Sequence, residues 1–291
     1  MVMEIVLTGT GSPLPDANRA GPSTLLKAGE SHVLVDAGRG VVMRMAAAGS
    51  LPMFLSGVLL THLHSDHVCD LNDVITTHWV MSQGNGTLAI YGPPGTQEFV
   101  DRQIHALEAD IGYRIEHHDQ LTNGPKVDIT ELSPGAEFSI NDFRVTAAAT
   151  QHAPVRPTLG YRVENESAVA ALVGDTLPCE GVDGLAASAD AYVQTVIRSD
   201  LLKLSSNSML LDILDYHSDV EDAARTAERV GVKRLVLTHM VPAPTPDQYF
   251  EWIDLAKKHF DGEVLIGDDL TTISIYRTPC NHDRYLRLKD E

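Results

Sequence analysis

Cysteine and long hydrophobic runs are scarce in this chain of 291 residues. The three cysteines, Cys69, Cys179 and Cys280, are scattered and odd in number, which argues against a disulfide framework and favours a reducing compartment. No apolar run reaches the roughly 18 residues that a membrane-spanning helix needs. The segment from Met1 to Leu7 has no basic start and no small-residue cleavage site, so it resembles a first strand more than a signal peptide. We therefore expect a cytoplasmic protein.

Positive charge is also in short supply. The chain has 22 lysines and arginines against 40 aspartates and glutamates, a formal net charge of −18. Such a protein repels a polyanion unless its cations are gathered into one patch. The longest basic groupings, Lys257-Lys258 and the segment 284–289, are ordinary for a solvated surface. The composition therefore predicts a small-molecule substrate and makes nucleic acid an unlikely partner.

Strand-like and helix-like segments alternate along most of the chain, without internal repeats or low-complexity stretches. This organisation predicts a single α/β domain over residues 1–276. The remaining residues, 277–291, are polar and are predicted to form a C-terminal extension.

Four side chains that can bind a metal fall within six positions, His62, His64, Asp66 and His67. They follow the apolar run 54–60, which has the length and composition of a buried strand. Imidazole and carboxylate suit zinc or a comparable first-row metal. Because four ligands so close in sequence cannot easily surround one tetrahedral ion, the spacing indicates two ligands for each of two adjacent metals.

Three further candidates follow predicted strands, where an open α/β sheet usually forms its site. Asp175 comes after the strand at 168–173, His239 after 234–237, and His152 shortly after the strand around Val145. A single histidine in such a position is more often a hydrogen-bonded structural residue. The metal-binding interpretation of these three depends on their combination with the cluster at 62–67.

The order of these residues resembles that of the metallo-β-lactamase superfamily. The similarity rests on a His-x-His-x-Asp-His motif at 62–67, followed by His152, Asp175 and His239. It implies a four-layer αβ/βα sandwich, with two mixed β-sheets flanked by helices. It also implies a site for two Zn²⁺ ions per chain, with Mn²⁺ or Fe²⁺ as alternatives. In this assignment the first metal binds His62, His64 and His152, the second binds Asp66, His67 and His239, and Asp175 bridges both.

Within the superfamily, the chain is most similar to the ribonuclease Z and arylsulfatase-like branch, whose members commonly form homodimers. Stretches typical of this branch are Gly9-Thr10-Gly11-Ser12-Pro13, Asp36-Ala37-Gly38-Arg39-Gly40, Tyr91-Gly92-Pro93-Pro94-Gly95, Gly160-Tyr161-Arg162-Val163 and Tyr216-His217-Ser218. The resemblance implies that His217 assists the leaving group. From the residues alone, His217 could equally lie beside a helix N-cap formed by Ser218 or Asp219.

The chain departs from ribonuclease Z at two places. Only 22 residues separate His152 from Asp175, too few for the long arm with which that enzyme grips tRNA. Gln194-Thr195 also stands where the branch usually has a His-Glu pair. Together with the acidic composition, these departures favour a dinuclear zinc hydrolase of small ester-type substrates, namely carboxylic esters or lactones, aryl sulfates or phosphodiesters. The alternatives are a tRNA 3′-processing endonuclease and a metal-stabilised binding protein without turnover.

In the predicted mechanism a hydroxide bridging the two metals attacks the substrate. Asp66 or Asp175 takes up the proton, and His217 protonates or stabilises the departing oxygen. Asp36 either orients a ligand histidine or holds a turn. Cys69 is either a soft ligand or, as we favour, a small buried side chain.

Overall fold

The computed structural model describes residues 2–276, which form two seven-stranded β-sheets packed face to face between two layers of helices. The strands are β1 (Met3–Gly9), β2 (Ser23–Ala28), β3 (Ser31–Val35), β4 (Leu55–Leu59), β5 (Thr87–Gly92), β6 (Lys126–Glu131), β7 (Glu137–Ile140), β8 (Phe143–Ala149), β9 (Leu159–Asn165), β10 (Ala168–Leu172), β11 (Ala191–Ile197), β12 (Arg234–Val241), β13 (Glu263–Ile266) and β14 (Thr272–Ile275).

The helices are α1 (Val41–Ala47), α2 (Ser65–Val68), α3 (Leu71–Met81), α4 (Thr96–Ala106), α5 (Glu108–His117), α6 (Glu180–Ala186), α7 (Ser199–Leu202), α8 (Ser208–Asp212), α9 (Val220–Val230) and α10 (Tyr249–Lys257). Three short 3₁₀ turns span Pro52–Phe54, Ile213–Asp215 and Pro246–Gln248. Within residues 2–276 no helix is long and apolar enough to cross a membrane.

Both sheets mix parallel and antiparallel pairing. The first runs β14-β1-β2-β3-β4-β5-β6 and is parallel from β3 to β6; the second runs β13-β12-β11-β10-β9-β8-β7 and is parallel from β10 to β13. Since β8 and β10 are each antiparallel to β9, they point the same way. The loops after β8, β10 and β12 therefore leave the second sheet at one edge.

Three apolar clusters hold the layers together. One lies between the sheets, one joins the second sheet to α6, α9 and α10, and one joins the first sheet to α1, α3 and α4. Strand β11 shows the pattern that produces this arrangement. Val193 faces the core between the sheets, while its neighbour Tyr192 and the later Val196 pack against the helices, as the two-residue period of a strand requires.

Helix α9 begins and ends at residues whose types favour a helix start and a helix end. Asp219 is the N-cap, and its side chain accepts a hydrogen bond from the backbone N–H of Asp222 in a capping box. Gly231 ends the helix with φ +69°, a left-handed conformation that glycine adopts without strain. The predicted fold class, a four-layer αβ/βα sandwich with two mixed sheets, is confirmed. The single domain over 1–276 stays a prediction, and the predicted extension 277–291 lies outside the described residues.

A buried hydrogen bond joins the two sheets directly below the histidine loop. The hydroxyl of Tyr161 in β9 donates to the carbonyl oxygen of Leu60, just after β4, at 2.6 Å. Tyr161 is fully buried. We expect Tyr161→Phe to lower the free energy of unfolding by about 1–3 kcal/mol, because the substitution leaves this buried carbonyl without its partner. Urea denaturation measures the change. Tyr113→Phe, at a side chain that is 70% exposed, is the control and should stay within about 0.5 kcal/mol.

Candidate metal centre

The histidine cluster begins where strand β4 ends. A short loop carries His62 and His64, and the single turn of α2 carries Asp66 and His67. Asp66 and His67 are buried, with exposed fractions of 4% and 1%, so the turn directs both side chains into the protein. The crowded sequence spacing is thus divided between a loop and a helical turn.

The other predicted ligands arrive from the second sheet. His152 follows β8, Asp175 follows β10, and His239 lies within β12 with φ +50°. Gly174 allows the close approach of the Asp175 loop, because a Cβ there would lie 2.9 Å from the side chain of Thr61. It also has φ +62°, which a side chain would make unfavourable.

The structure brings all seven predicted ligands together in two groups. One contains His62, His64, His152 and Asp175; the other contains Asp66, His67 and His239. Within each group the candidate ligand atoms lie within 4.8 Å of one another. Asp175 Oδ2 lies between the groups, 3.9 Å from His62 Nε2 and 3.5 Å from His67 Nε2. The predicted bridging role of Asp175 stays a prediction.

Several buried polar atoms in this cluster have no hydrogen-bond partner among the described residues. They are His62 Nε2, His67 Nε2, Asp175 Oδ1 and His239 Nδ1. Buried polar groups without partners cost free energy, and a divalent cation would satisfy nitrogen and carboxylate donors of this kind. The cluster therefore fits a divalent metal site.

Hydrogen bonds behind the cluster orient three of the histidines. Asp36 Oδ2 accepts from Nδ1 of His67 and from the hydroxyl of Thr61, both at 2.8 Å. The same hydroxyl accepts from Nδ1 of His62 at 3.0 Å, because its own proton is directed to Asp36. Nδ1 of His152 donates to the carbonyl of Tyr216 at 2.9 Å. These contacts place the proton on Nδ1 and leave Nε2 of all three rings available to a metal.

Asp36 thus has both of the roles considered for it: it orients His67, and it holds the turn at Thr61. Its carboxylate also accepts a hydrogen bond from the backbone N–H of Thr61 at 2.8 Å. We expect Asp36→Ala to weaken metal binding by about 10- to 100-fold. Competition with a chromogenic chelator measures this affinity. Asp73→Ala, on the exposed face of α3, should leave it unchanged. Equal metal affinity in the two variants would contradict the orienting role.

Burial and the neighbouring charged groups shift the pKa values of these side chains in opposite directions. Burial lowers the pKa of His152 to about 4 and holds the pKa of His62 well below its usual range. Burial also acts against protonation of His67 and His239, but the carboxylate of Asp175 contributes enough to raise the pKa of both. For Asp175, burial favours the neutral acid, yet His239 and His67 outweigh it and keep its pKa well below the usual range. Asp175 is therefore ionised.

His217 lies beside the cluster without belonging to either ligand group. Its Nε2 donates to Asp175 Oδ2 at 3.3 Å, and its Nδ1 donates to the carbonyl of Ile213 at 3.2 Å. It also lies two residues before Asp219, the N-cap of α9, so the predicted capping context is present, while its role towards the leaving group stays a prediction. Both ring nitrogens lie within hydrogen-bond distance of acceptors, so these contacts hold the ring in one orientation.

Gln194 and Thr195 do not replace the His-Glu pair by contacting His217. Gln194 faces the helix layer, accepts from the hydroxyl of Tyr192 and donates to the carbonyl of Thr195 at 2.7 Å. The hydroxyl of Thr195 donates to the carbonyl of Gly174 at 3.0 Å, next to Asp175. Among the described residues, the backbone carbonyl of Ile213, and neither Gln194 nor Thr195, accepts the hydrogen bond that orients Nδ1 of His217.

Cys69 and Cys179 belong to neither ligand group in the described part of the chain. Burial raises the pKa of Cys69 to about 11, which disfavours the thiolate that binds metals. The roles of Thr61 and of the backbone carbonyls of Ile213 and Tyr216 in orienting histidines were not predicted from the sequence. Thr61 could have been found from its place directly before His62, whereas a carbonyl has no residue type to recognise.

Comparison with known proteins identifies the family. The sequence model of the Beta-lactamase superfamily domain matches residues 31–240. The protein named Ribonuclease Z from Mycolicibacterium gilvum is 48% identical over 281 residues, covering 96% of this chain and 98% of the relative. The protein of that name from Mycolicibacterium paratuberculosis is 50% identical over 276 residues, covering 94% and 99%.

Solved structures show the same fold at lower identity. The metallo-β-lactamase fold protein YhfI from Bacillus subtilis has a TM-score of 0.73 at 22% identity, covering 94% of this chain and all of that one. Human tRNase Z, short form, has a TM-score of 0.68 at 22% identity, covering 94% and 99%.

These relatives contradict the substrate predicted from the sequence. The prediction of a hydrolase for small ester-type substrates is wrong, since relatives at 48–50% identity are named as ribonucleases. The predicted partners, a small-molecule substrate with nucleic acid unlikely, are wrong for the same reason. The physical error was to treat the net charge of −18 as a property of the site, although it is a sum over the whole chain. The comparisons also give no support to the arylsulfatase-like part of the predicted branch.

The hydrolase and metal-binding parts of the predictions hold in their general form. The family and the two groups of histidine and aspartate indicate a metal-dependent hydrolase that binds divalent metal. The match over most of the chain, and the near full-length similarity at 48–50% identity, confirm the resemblance inferred from the motif. The chain belongs to the metallo-β-lactamase superfamily and, within it, to the ribonuclease Z family.

Proposed function

We propose that this protein is an endonuclease that processes the 3′ ends of tRNA precursors, using two zinc ions bound by the seven-residue cluster. The observation that carries the proposal is near full-length similarity to proteins named Ribonuclease Z, combined with a cluster in which every predicted ligand is present. A cytoplasmic location agrees with such a substrate. The homodimer stays a prediction, which light scattering can check.

The proposed ligand assignment follows the two groups. His62, His64 and His152 would hold the first metal, Asp66, His67 and His239 would hold the second, and Asp175 would be shared between them. The central position of Asp175 Oδ2 supports the bridge, because it lies 3.7 Å from His152 Nε2 and 3.8 Å from His239 Nε2. The oriented Nε2 atoms of His62, His67 and His152 support the assignment of these rings.

The chemistry proceeds by attack of water on a phosphodiester. The two ligand groups would hold zinc, which when bound would supply hydroxide at neutral pH and polarise the phosphate. Asp66 takes up the proton of the attacking water. Although burial favours the neutral acid, the hydrogen bond from His239, 3.1 Å away, helps to keep the pKa of Asp66 below its usual value, so the carboxylate is ionised and can accept.

His217 protonates the departing ribose oxygen. Asp175 and the Ile213 carbonyl both lie within hydrogen-bond distance of its ring nitrogens, so the ring is held in a fixed orientation beside the cluster. Because water is the nucleophile, the ribose 2′-hydroxyl takes no part in bond cleavage. The 5′ fragment therefore ends in free hydroxyls, without a cyclic phosphate.

The test is incubation of zinc-replete protein with a 3′-extended pre-tRNA. We expect a single cut near the discriminator base, with a 3′-hydroxyl on the tRNA fragment. The His64→Ala variant should show no cut, because it removes one proposed ligand. A cut that persists in this variant, or cyclic phosphate on the product, would reject the assignment. Full zinc content without any cut in the wild-type protein would favour the binding protein without turnover.

A further inference from the structure

Most lysines and arginines of this protein are neutralised by neighbouring carboxylates. Examples are Arg19 with Asp268 at 2.8 Å and Lys233 with Asp190 at 2.6 Å. Some cations form no ion pair with any residue in the range 2–276. They are Arg39, Lys126, Arg156, Lys203 and Lys257.

The unpaired cations are not spread evenly over the molecule. Arg39 and Arg156 lie in the loops that follow β3 and β8, and Lys203 is the C-cap of α7, the short helix after β11; all three follow strands that end at the edge where the metal centre is formed. Lys126 is the first residue of β6, which runs parallel to β4 and β5, so it lies at the opposite edge. Lys257 donates to backbone carbonyls at the end of α10. The free positive charge is thus concentrated around the site.

Arg156 is the unpaired cation that belongs to a cleft. The chain turns sharply after His152, where the N–H of Val155 donates to the His152 carbonyl at 3.0 Å, and Arg156 comes next, exposed to solvent. A cleft of about 680 Å³ opens here. Its lining residues are Ala149, Thr150, Gln151, His152, Ala153, Val155, Arg156, Pro157, Thr158 and Leu177.

The composition of this cleft suits one kind of ligand. His152 forms part of the wall, so whatever occupies the cleft lies next to the metal centre. Among the described residues that line it, Arg156 is the only lysine or arginine, and no carboxylate competes for the guanidinium. The planar guanidinium matches the geometry of phosphate oxygens, and the small side chains beside it leave room for a bulky group.

We propose that Arg156 binds a phosphate adjacent to the scissile bond, and that the cleft beside His152 accommodates the attached nucleotide. The inference rests on the proposed function and deepens it by naming where the RNA backbone is held. It also explains how a chain of net charge −18 without a long arm can bind a polyanion, since the local charge at this cleft is positive.

The experiment compares Arg156→Gln with Arg156→Lys and with a matched control, Lys126→Gln, which also removes one exposed, unpaired cation. Binding of a 3′-extended pre-tRNA with an uncleavable linkage at the cut is measured by fluorescence anisotropy. We expect Arg156→Gln to weaken binding on the order of tenfold, Arg156→Lys by about two- to threefold, and Lys126→Gln by less than about twofold. The salt dependence in Arg156→Gln should lose about one unit of slope, as expected for one lost phosphate contact.

The outcomes separate this inference from the proposed function. If wild-type protein cuts pre-tRNA while Arg156→Gln binds as tightly as wild type, the cleft proposal alone is overturned. Equal loss in Arg156→Gln and Lys126→Gln also overturns it, because the effect would then be one of general charge. If wild-type protein binds RNA without cutting it, the proposed function fails and the binding comparison still decides the role of Arg156. Absence of RNA binding by wild-type protein rejects both.

Discussion

Replacing Asp175 with asparagine is expected to lower kcat/KM for pre-tRNA cleavage by a factor on the order of 10³ or more. The substitution keeps the volume of the side chain and removes its charge. Asp175 is buried, and its Oδ2 lies 3.3–3.9 Å from Nε2 of each of five histidines, His62, His67, His152, His217 and His239. Without this carboxylate, both metal positions and the proposed acid lose a common partner.

Single-turnover cleavage and metal content, measured on the same protein sample, test this prediction. Both should fall in Asp175→Asn. Asp190→Asn provides a matched control, since Asp190 is also a buried aspartate of the second sheet, bound to Lys233 and to the N–H of Val169. It lies just before β11, at the edge away from the metal centre, and its loss should reduce stability without removing metal. Normal metal content and activity in Asp175→Asn would refute the bridging role.

The His217→Ala variant is expected to reduce kcat by about 10² to 10⁴ while it retains full metal content. The reason is that His217 lies outside both ligand groups; it donates a hydrogen bond to Asp175, and its ring packs edge-on against His152 with 4.8 Å between the ring centroids. The rate loss should be smaller with a substrate whose leaving group is a weak base, because such a group needs no proton.

Tyr216→Phe is the control for His217, since Tyr216 supplies a backbone carbonyl to His152 and the substitution preserves that carbonyl. Its cleavage rate should stay near that of wild type. Loss of metal in His217→Ala would show that the ring is a ligand, and an unchanged rate would show that it is not the acid.

The metal centre was largely predictable from local sequence. Four candidate ligands of two residue types fall within six positions after a buried strand, and this pattern is informative because the strand and the helical turn that place them are short-range structures. The ends of α9 were predictable for the same reason, since Asp219 and Gly231 act on the residues beside them. The positions of Asp175 and His239 after predicted strands also indicated that they belong to the site, because strands that run in one direction end at one edge of a sheet.

The contacts that orient the ligands were not predictable, because they join distant parts of the chain. Asp36 and His67 are 31 positions apart, and His152 and Tyr216 are 64 apart. The sequence contains both partners of each pair without indicating that they meet. In the second pair the acceptor is a backbone carbonyl, which every residue has.

The amino-acid sequence by itself therefore determined the fold class, the metal-dependent hydrolase family and the seven residues that form the two candidate ligand groups, since these follow from residue types at short spacings. The proposed RNA contact depends on something that composition does not contain, namely which cations are neutralised by carboxylates far away in the chain. Only the tertiary structure decided that Arg19 and Lys233 are paired while Arg156 remains free beside His152. Because electrostatic attraction of RNA depends on local unpaired charge at the site, a net charge of −18 was a poor guide to it.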